Sequence, residues 1–535
     1  MGDRTIRVRF EPGGFDADVA PGTTLLDAAH AAGASIDAPC GGAGRCGACR
    51  VRVTGEVSAL TPEEADILGG ASVAAGRRLA CRARALGDAV IKLGRVRGRA
   101  RVVTGSTSTG ARAALTGTSG NAGAGPRRLG AAVDIGTTTV AVAIIDMTTG
   151  DVVASRGALN AQGAFGADVM SRVTAALDGA AAELRATVLE QVADLVADAL
   201  DEIGSSADDL TEIAMCGNTA MTGIFLGRDL SPLAAAPYEG VDITGTAGTA
   251  RALGLTAFDR AAAYVLPGIS AFVGADITAG LLATRLDERT APALFVDLGT
   301  NGEIVLAGAG RMRATSTAAG PALEGAAIEC GMLAETGAIE RVTLERDGLS
   351  LGVIGDTAPS GICGSGVLDL VAALLNAGVL DTSGRLLDVP GSLGARVAER
   401  GGQRVFELDP GREVVLTQKD VRQVQLAVAA VRTGIELLLA DAGVRATDIG
   451  EVIVAGGFGF HVDAASVTRI GLLPAEWRDR ITFVGNTALA GARLTLGDDA
   501  WRRRATTLVD RVRAIDLAAH PEFQDRFIAA LEFPG

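Results

Sequence analysis

Twice in this chain an apolar run halts at an aspartate, turns through Gly-Thr and resumes as a second apolar run. The first copy is Ala131-Ala132-Val133-Asp134-Ile135-Gly136-Thr137-Thr138-Thr139-Val140, continuing to Ile145. The second follows about 160 residues later as Leu294-Phe295-Val296-Asp297-Leu298-Gly299-Thr300-Asn301-Gly302-Glu303-Ile304-Val305. Each reads as a buried strand, a tight turn and a returning strand. One copy alone could be an ordinary hairpin end, but its recurrence at long spacing predicts a fold with two related halves. The turn also carries chemistry, because glycine followed by hydroxyl residues offers N–H and O–H donors to phosphate oxygens. An aspartate at the strand end can hold Mg²⁺ through water. Asp134 and Asp297 are therefore the candidate catalytic carboxylates, with Gly136, Thr137, Thr138, Gly299, Thr300, Asn301 and Gly302 as candidate phosphate contacts.

Further elements fall around these hairpins. Val452-Ile453-Val454-Ala455 is an apolar strand ending in Gly456-Gly457, where glycine permits close backbone approach to a ligand. Gly-Asn-Thr-Ala ends two strand-like runs, Ile213 to Ala220 and Ile481 to Ala488, one per half, and both are expected beside the same cleft. Gly361-Ile362-Cys363-Gly364-Ser365-Gly366 opens a helix from Val367 to Leu375, whose N-terminus is an anion site that would use Gly364 and Ser365. Helical spacing also marks Ala181 to Ile203, Ala275 to Leu286 and Val421 to Ala440, with Gly204 and Gly443 where C-terminal caps belong. Taken in order, these parts resemble the superfamily of sugar and acetate kinases, heat-shock chaperone ATPases and actin. The resemblance implies an α/β, actin-like or ribonuclease-H-like ATPase whose halves close around ATP and Mg²⁺, with Gly456 and Gly457 against the adenosine. Lys92 and Lys419 are the only lysines among 49 lysines and arginines, so no P-loop exists and the nucleotide site must work without its lysine.

The N-terminal region has a different character. Cys40, Cys46 and Cys49 share a glycine-dense C-x5-C-x2-C loop, and Cys81 is a distant fourth cysteine. Four thiolates are the usual ligand set of an iron–sulfur cluster. The glycines let such a loop turn its amides toward sulfur. A zinc site or a disulfide pair is the alternative, although zinc knuckles favour two matched C-x2-C pairs and this chain has one. Around the loop, Thr5 to Phe10 and Phe15 to Val19 read as paired strands, and Thr23 or Thr24 caps a helix through Ala32. Cys49 to Val57 reads as a strand, Arg77 to Arg84 returns the fourth cysteine, and Asp88 to Leu93 closes the sheet. This arrangement resembles the α+β, β-grasp [2Fe–2S] ferredoxins, with the first gap one residue longer than in the plant-type pattern.

The expected organisation is multidomain: a ferredoxin-like domain at 1–92, a flexible linker at 93–128, and the two ATPase halves at 129–292 and 293–535, the latter with C-terminal helices. The linker reading rests on composition. No acid occurs from Ala89 to Val133, and Thr104 to Gly125 is Gly, Ser, Thr and Ala with little apolar content. Arg95, Arg97, Arg99 and Arg101 recur at period two and read as a solvated strand face. A net charge of −14 argues against binding nucleic acid through an overall positive field. The first ten residues alternate like a strand rather than a leader, and the longest apolar stretches carry polar residues. No membrane span is expected, and a cytoplasmic location is.

A ferredoxin domain tethered to such an ATPase resembles the reductive activators of corrinoid-dependent methyltransferase systems. Thr317-Ala318-Ala319-Gly320-Pro321-Ala322-Leu323-Glu324-Gly325 also resembles a segment of that family. The resemblance implies an ATP-dependent enzyme that passes electrons from a [2Fe–2S] cluster to a Co(II) corrinoid protein, restoring Co(I) for methyl transfer. It also implies a homodimer. No flavin or dinucleotide fingerprint occurs, so an external reductase or ferredoxin must supply electrons. Two alternatives stay open at this point: a small-molecule kinase with a redox-sensing cluster, in which Asp276 or Glu324 would be the base, and an electron-donating activator of a dehydratase. The latter holds its cluster between subunits and has only Cys216, Cys330 and Cys363 left to build it.

Overall fold

The computed structural model describes residues 5–11, 15–32, 34, 36, 42, 44, 49–68, 73, 76–92, 128–238, 240–325, 327–346, 348–409, 414–456, 462–517 and 520–535. Nearly all of the expected linker, with its arginine series, lies outside the described residues, as do Cys40, Cys46 and Gly457. The chain forms two units, Met1–Gly98 with Asn160–Thr187, and Arg99–Leu159 with Val188–Gly535.

The first unit carries a five-stranded sheet of β1 (Ile6–Glu11), β2 (Phe15–Val19), β3 (Arg50–Val57), β4 (Arg77–Leu79) and β5 (Ala85–Lys92) in the order β2-β1-β5-β3-β4. β1 and β5 run parallel and the other pairs antiparallel. Alternation builds its core, since Val8, Phe10, Val51 and Ile91 all point inward with Leu25 of the helix Leu25–Ala32. Thr24 rather than Thr23 caps that helix, accepting from the Asp27 N–H at 3.1 Å. The buried Glu64 accepts from both Arg78 Nε, at 2.9 Å, and the Leu79 N–H, at 2.7 Å, which fixes β4 just before Cys81.

The second unit contains two six-stranded sheets. The first holds β6 (Leu129–Ile135), β7 (Thr139–Asp146), β8 (Val152–Leu159), β9 (Leu210–Gly217), β10 (Thr246–Thr249) and β11 (Ala262–Val265) in the order β10-β11-β9-β6-β7-β8. After β12 (Ala293–Leu298), β13 (Gly302–Gly308) and β14 (Arg311–Thr317) come two three-stranded sheets. One is formed by β15 (Ala338–Glu345), β16 (Gly348–Val353) and β17 (Gly361–Ile362), the other by β18 (Val397–Arg400), β19 (Gln403–Asp409) and β20 (Val414–Thr417). β21 (Glu451–Ala455), β22 (Ile481–Gly485) and β23 (Val512–Ala514) then complete the order β22-β21-β12-β13-β14-β23.

The duplication is topological. In each sheet a hairpin of three antiparallel strands, β6-β7-β8 or β12-β13-β14, is extended by two parallel strands, β9 and β11 or β21 and β22. Against that frame the two Gly-Asn-Thr-Ala segments are not counterparts. The first follows β9, the fourth strand of its sheet, and the second follows β22, the fifth. The helix that corresponds to Thr487–Leu494 is instead Ala275–Thr284, after β11, and these two helices cross so closely that a Cβ on Gly491 would stand 1.9 Å from the Ala279 carbonyl oxygen. Among the described residues one helix, Gln418–Ala442, is long and apolar enough to cross a membrane, and its apolar stretch is mostly buried. A Thr417–Asp420 capping box starts it, and Gly443, at φ 65°, ends it.

Candidate functional site

The two Asp-Gly-Thr turns meet across one cavity of about 200 Å³ in the second unit. Each turn is closed by its own backbone: the Gly136 N–H donates to the Thr139 carbonyl at 3.0 Å, and the Gly299 N–H to that of Asn301 at 2.9 Å. A Cβ on Gly136 would lie 2.6 Å from the Thr139 oxygen, so the first turn demands glycine. Thr138 and Thr300 share a hydrogen bond of 2.9 Å across the cleft. Glu324 accepts from both hydroxyls, at 3.3 Å from Thr138 and 2.6 Å from Thr300.

Helix N-termini converge on this cavity. Asn218 caps Thr219–Leu226 and donates through Nδ2 to Thr137 Oγ1 at 2.7 Å. Asn486 caps Thr487–Leu494 and donates to Asp134 Oδ2 at 2.8 Å. Asp276 sits in the first turn of Ala275–Thr284, and Gly364 begins the helix Gly364–Asn376. Four helix dipoles thus favour an anion there.

The walls carry the opposite preference. Five carboxylates, Asp134, Asp276, Asp297, Glu303 and Glu324, line the cavity without a lysine, arginine or histidine among the lining residues. Burial lifts Asp134 to about 6 against the opposing hydrogen bond from Asn486. Burial, with Asp134 adding to it, lifts Asp276 to about 7. Burial and then the charges of Asp276, Asp134 and Glu324 hold Asp297 well above the usual carboxylate range. Glu303, opposite Asp297 in the β12–β13 register, is raised by burial and by Asp276 and Asp297. Among the described residues no three such side chains are close enough to ligate an ion by themselves. A cation here would keep waters and take phosphate oxygens, the habit of Mg²⁺.

These shifts set a pH dependence. A carboxyl whose folded pKa exceeds its unfolded value binds protons the unfolded chain releases, so its contribution to stability is lost as pH rises through the folded pKa. Without divalent cations the melting temperature should therefore fall as pH rises from about 4, where the unfolded carboxyls begin to ionise, to about 7, where Asp134 and Asp276 have ionised in the folded chain, and level off above that. Asp276→Asn should flatten the slope. A slope identical to that of the unsubstituted chain would contradict the coupled carboxylate cluster.

Of the remaining sequence candidates, Gly456 lines the cavity with φ +127°, and a Cβ there would stand 2.2 Å from the Leu298 oxygen. Gly302 and Ser365 lie off the wall: Gly302 pairs with Thr317 in the ladder, and Ser365 is buried beside Cys363 Sγ at 3.3 Å. Asp276, Glu303, Cys363 and the two asparagines do line it. Repetition of Gly-Asn-Thr-Ala was the signal for the asparagines, whereas Glu303 had none beyond its place in the second hairpin. In the first unit Cys49 and Cys81 bring their sulfurs to 3.2 Å without a disulfide. The hydrogen bond with Cys81 holds the Cys49 thiol down at about 6. Gly42 and Gly44 of the loop take positive φ, 80° and 69°, as a wrapped loop requires.

Three family models match in succession: a 2Fe-2S iron-sulfur cluster binding domain at residues 8–86, the RACo middle region at 129–289, and the C-terminal domain of RACo, the ASKHA domain, at 291–535. The corrinoid activation enzyme RamQ of Eubacterium limosum is 34% identical over 414 residues, 75% of this chain and 69% of that protein. The chain belongs to the RACo and RamQ family of activators. A reductive activator for a corrinoid, iron-sulfur protein is similar in structure over 99% of this chain and 98% of its own, at 28% identity and a TM-score of 0.73. A Methanosarcina barkeri protein, the [Co(II) methylated amine-specific corrinoid protein] reductase, is 28% identical over 312 residues, 52% of this chain and 54% of that one. Membership of this family makes the chain an iron–sulfur, ASKHA-type reductive activator.

Proposed function

We propose that this activator passes single electrons from a [2Fe–2S] cluster to a corrinoid protein whose cobalt has fallen to Co(II), and that ATP with Mg²⁺ binds between the Asp134 and Asp297 hairpins to drive the transfer. The observation that carries the reading is the end-to-end likeness to a reductive activator, with both modules in one chain. A cluster held by Cys40, Cys46, Cys49 and Cys81 would supply the one electron that takes the acceptor to Co(I), and an external donor would replace it.

The thiol geometry fits a cluster. Sulfurs 3.2 Å apart can share one metal atom, and a thiol lowered to about 6 is largely in its ligating thiolate form near neutrality. Cys40 and Cys46, outside the described residues, would supply the other two ligands. The cavity fits a metal–phosphate pair, because helix N-termini and the Thr137, Thr138 and Thr300 hydroxyls suit the phosphates while the carboxylates suit the cation. Asp134 and Asp297 would hold the cation's waters from opposite walls, and Gly456 and Gly457 would face the adenosine.

Energetics explain why one chain needs both sites. Plant-type [2Fe–2S] centres lie near about −400 mV, and the Co(II)/Co(I) couple is expected to be more negative. A gap of ~100 mV costs about 2.3 kcal/mol for one electron. Nucleotide-driven change between two states can supply that, provided the states differ in affinity for the acceptor. The test mixes the purified protein with a Co(II) corrinoid protein and a reductant weaker than the cobalt couple, with and without ATP, and follows the cobalt spectrum. Co(I) should form only when ATP and the reductant are both present. Equal yield without ATP would end this reading.

A further inference from the structure

Three cations stand in a row on the solvent face of the first unit's sheet. Arg52 of β3 is directly opposite Arg77 of β4 on one side and Lys92 of β5 on the other, and such cross-strand partners point to the same face. All three are exposed, while the alternate residues Val51 and Ile91 fill the core. Like charges set opposite each other weaken a strand pair. The same face avoids that cost elsewhere, where Arg7 pairs with Asp18 at 3.0 Å and Arg9 with Asp16 at 2.8 Å. Arg52, Arg77 and Lys92 have no hydrogen-bond or ion-pair partner among the described residues, and the acid in register with the row, Glu11, stands beside Lys92 alone.

Two further facts give the row a direction. The chain has a net charge of −14, so an acidic protein is repelled by most of its surface and drawn to this strip. β3 starts right after Cys49 and β4 ends just before Ala80-Cys81, so Arg52 lies about 10 Å of strand from a cluster thiol.

We propose that Arg52, Arg77 and Lys92 form the docking strip for an acidic electron-carrier protein that reduces the cluster, an inference that rests on the electron-transfer function above. The carrier's reduced centre gives up one electron, the oxidised cluster gains it, and no bond is made or broken. A carrier must arrive by diffusion and leave after each electron, which is the regime where opposite charge raises the encounter rate most.

The test follows reduction of the cluster-loaded, full-length protein by an acidic plant-type ferredoxin in stopped flow, at low and high salt. The Arg52→Glu, Arg77→Glu double variant should lose at least about tenfold in second-order rate at low salt, and its salt dependence should vanish or invert. Arg52→Gln, Arg77→Gln should lose less in the same direction. Iron content, the extent of reduction by dithionite and ATP hydrolysis should match the unsubstituted protein. Equal carrier rates at low salt would overturn the strip. So would an unchanged carrier rate with slower Co(I) formation, which would assign the strip to the corrinoid protein. An unsubstituted cluster that dithionite reduces but no carrier does would end the electron-transfer reading, and the strip with it.

Discussion

Asp297→Asn should cut ATP hydrolysis at least about tenfold, the scale on which lost metal or transition-state electrostatics are felt, and Asp134→Asn should do the same. Asparagine keeps the shape of each side chain and the acceptor that Asn486 uses at Asp134, so what is removed is charge. Both aspartates sit among carboxylates that already push one another toward the protonated form. Deleting one negative charge relieves that repulsion, and neither variant should melt below the unsubstituted protein in the absence of cations. A stable but slow enzyme is therefore the expected result, the usual exchange of stability for function at a crowded site. Steady-state hydrolysis and melting curves measured together separate this outcome from misfolding. Wild-type-like turnover in both variants would reduce the hairpins to structural turns.

Cys81→Ser, or Cys46→Ser, should abolish the red-brown colour and the iron of one [2Fe–2S] cluster, and with them all Co(I) formation, while ATP hydrolysis stays nearly intact. A serine oxygen is a harder and poorer ligand than thiolate for such a cluster. At Cys81 the change also removes the sulfur that holds Cys49 down at about 6. Independence of the ATPase follows from location, because Cys49 and Cys81 belong to the first unit and every residue lining the carboxylate cavity belongs to the second. Iron analysis, the visible spectrum and nucleotide turnover report the three properties separately. Twice the expected iron, or tightly bound zinc in the unsubstituted protein, would overturn the cluster assignment.

Much of the architecture was legible before any coordinates. Strand and helix periods, the Gly443 stop and the paired Asp-Gly-Thr turns are short-range signals, written within a few residues by side-chain alternation and backbone sterics. They predicted two halves, and five strands of each six-stranded sheet repeat one order. One repeat misled in detail. Gly-Asn-Thr-Ala reads as a second mark of duplication, yet its copies follow the fourth strand of one sheet and the fifth of the other. What they share is a local task, an asparagine that caps a helix with its oxygen and reaches the first hairpin with its amide.

Sequence alone determined which turns could take a phosphate and which thiols could take a cluster, because glycine sterics, hydroxyl placement and cysteine spacing act over a few residues. Tertiary structure decided how these parts meet. Asp276, Glu303 and Glu324 became neighbours of Asp134 and Asp297 only when separate strands and helix N-termini closed on one cavity. Their raised proton affinities belong to that closure, since burial and mutual repulsion depend on what surrounds a carboxyl in space rather than along the chain. The row of Arg52, Arg77 and Lys92 has the same origin: three unremarkable surface cations in sequence, set side by side by strand register.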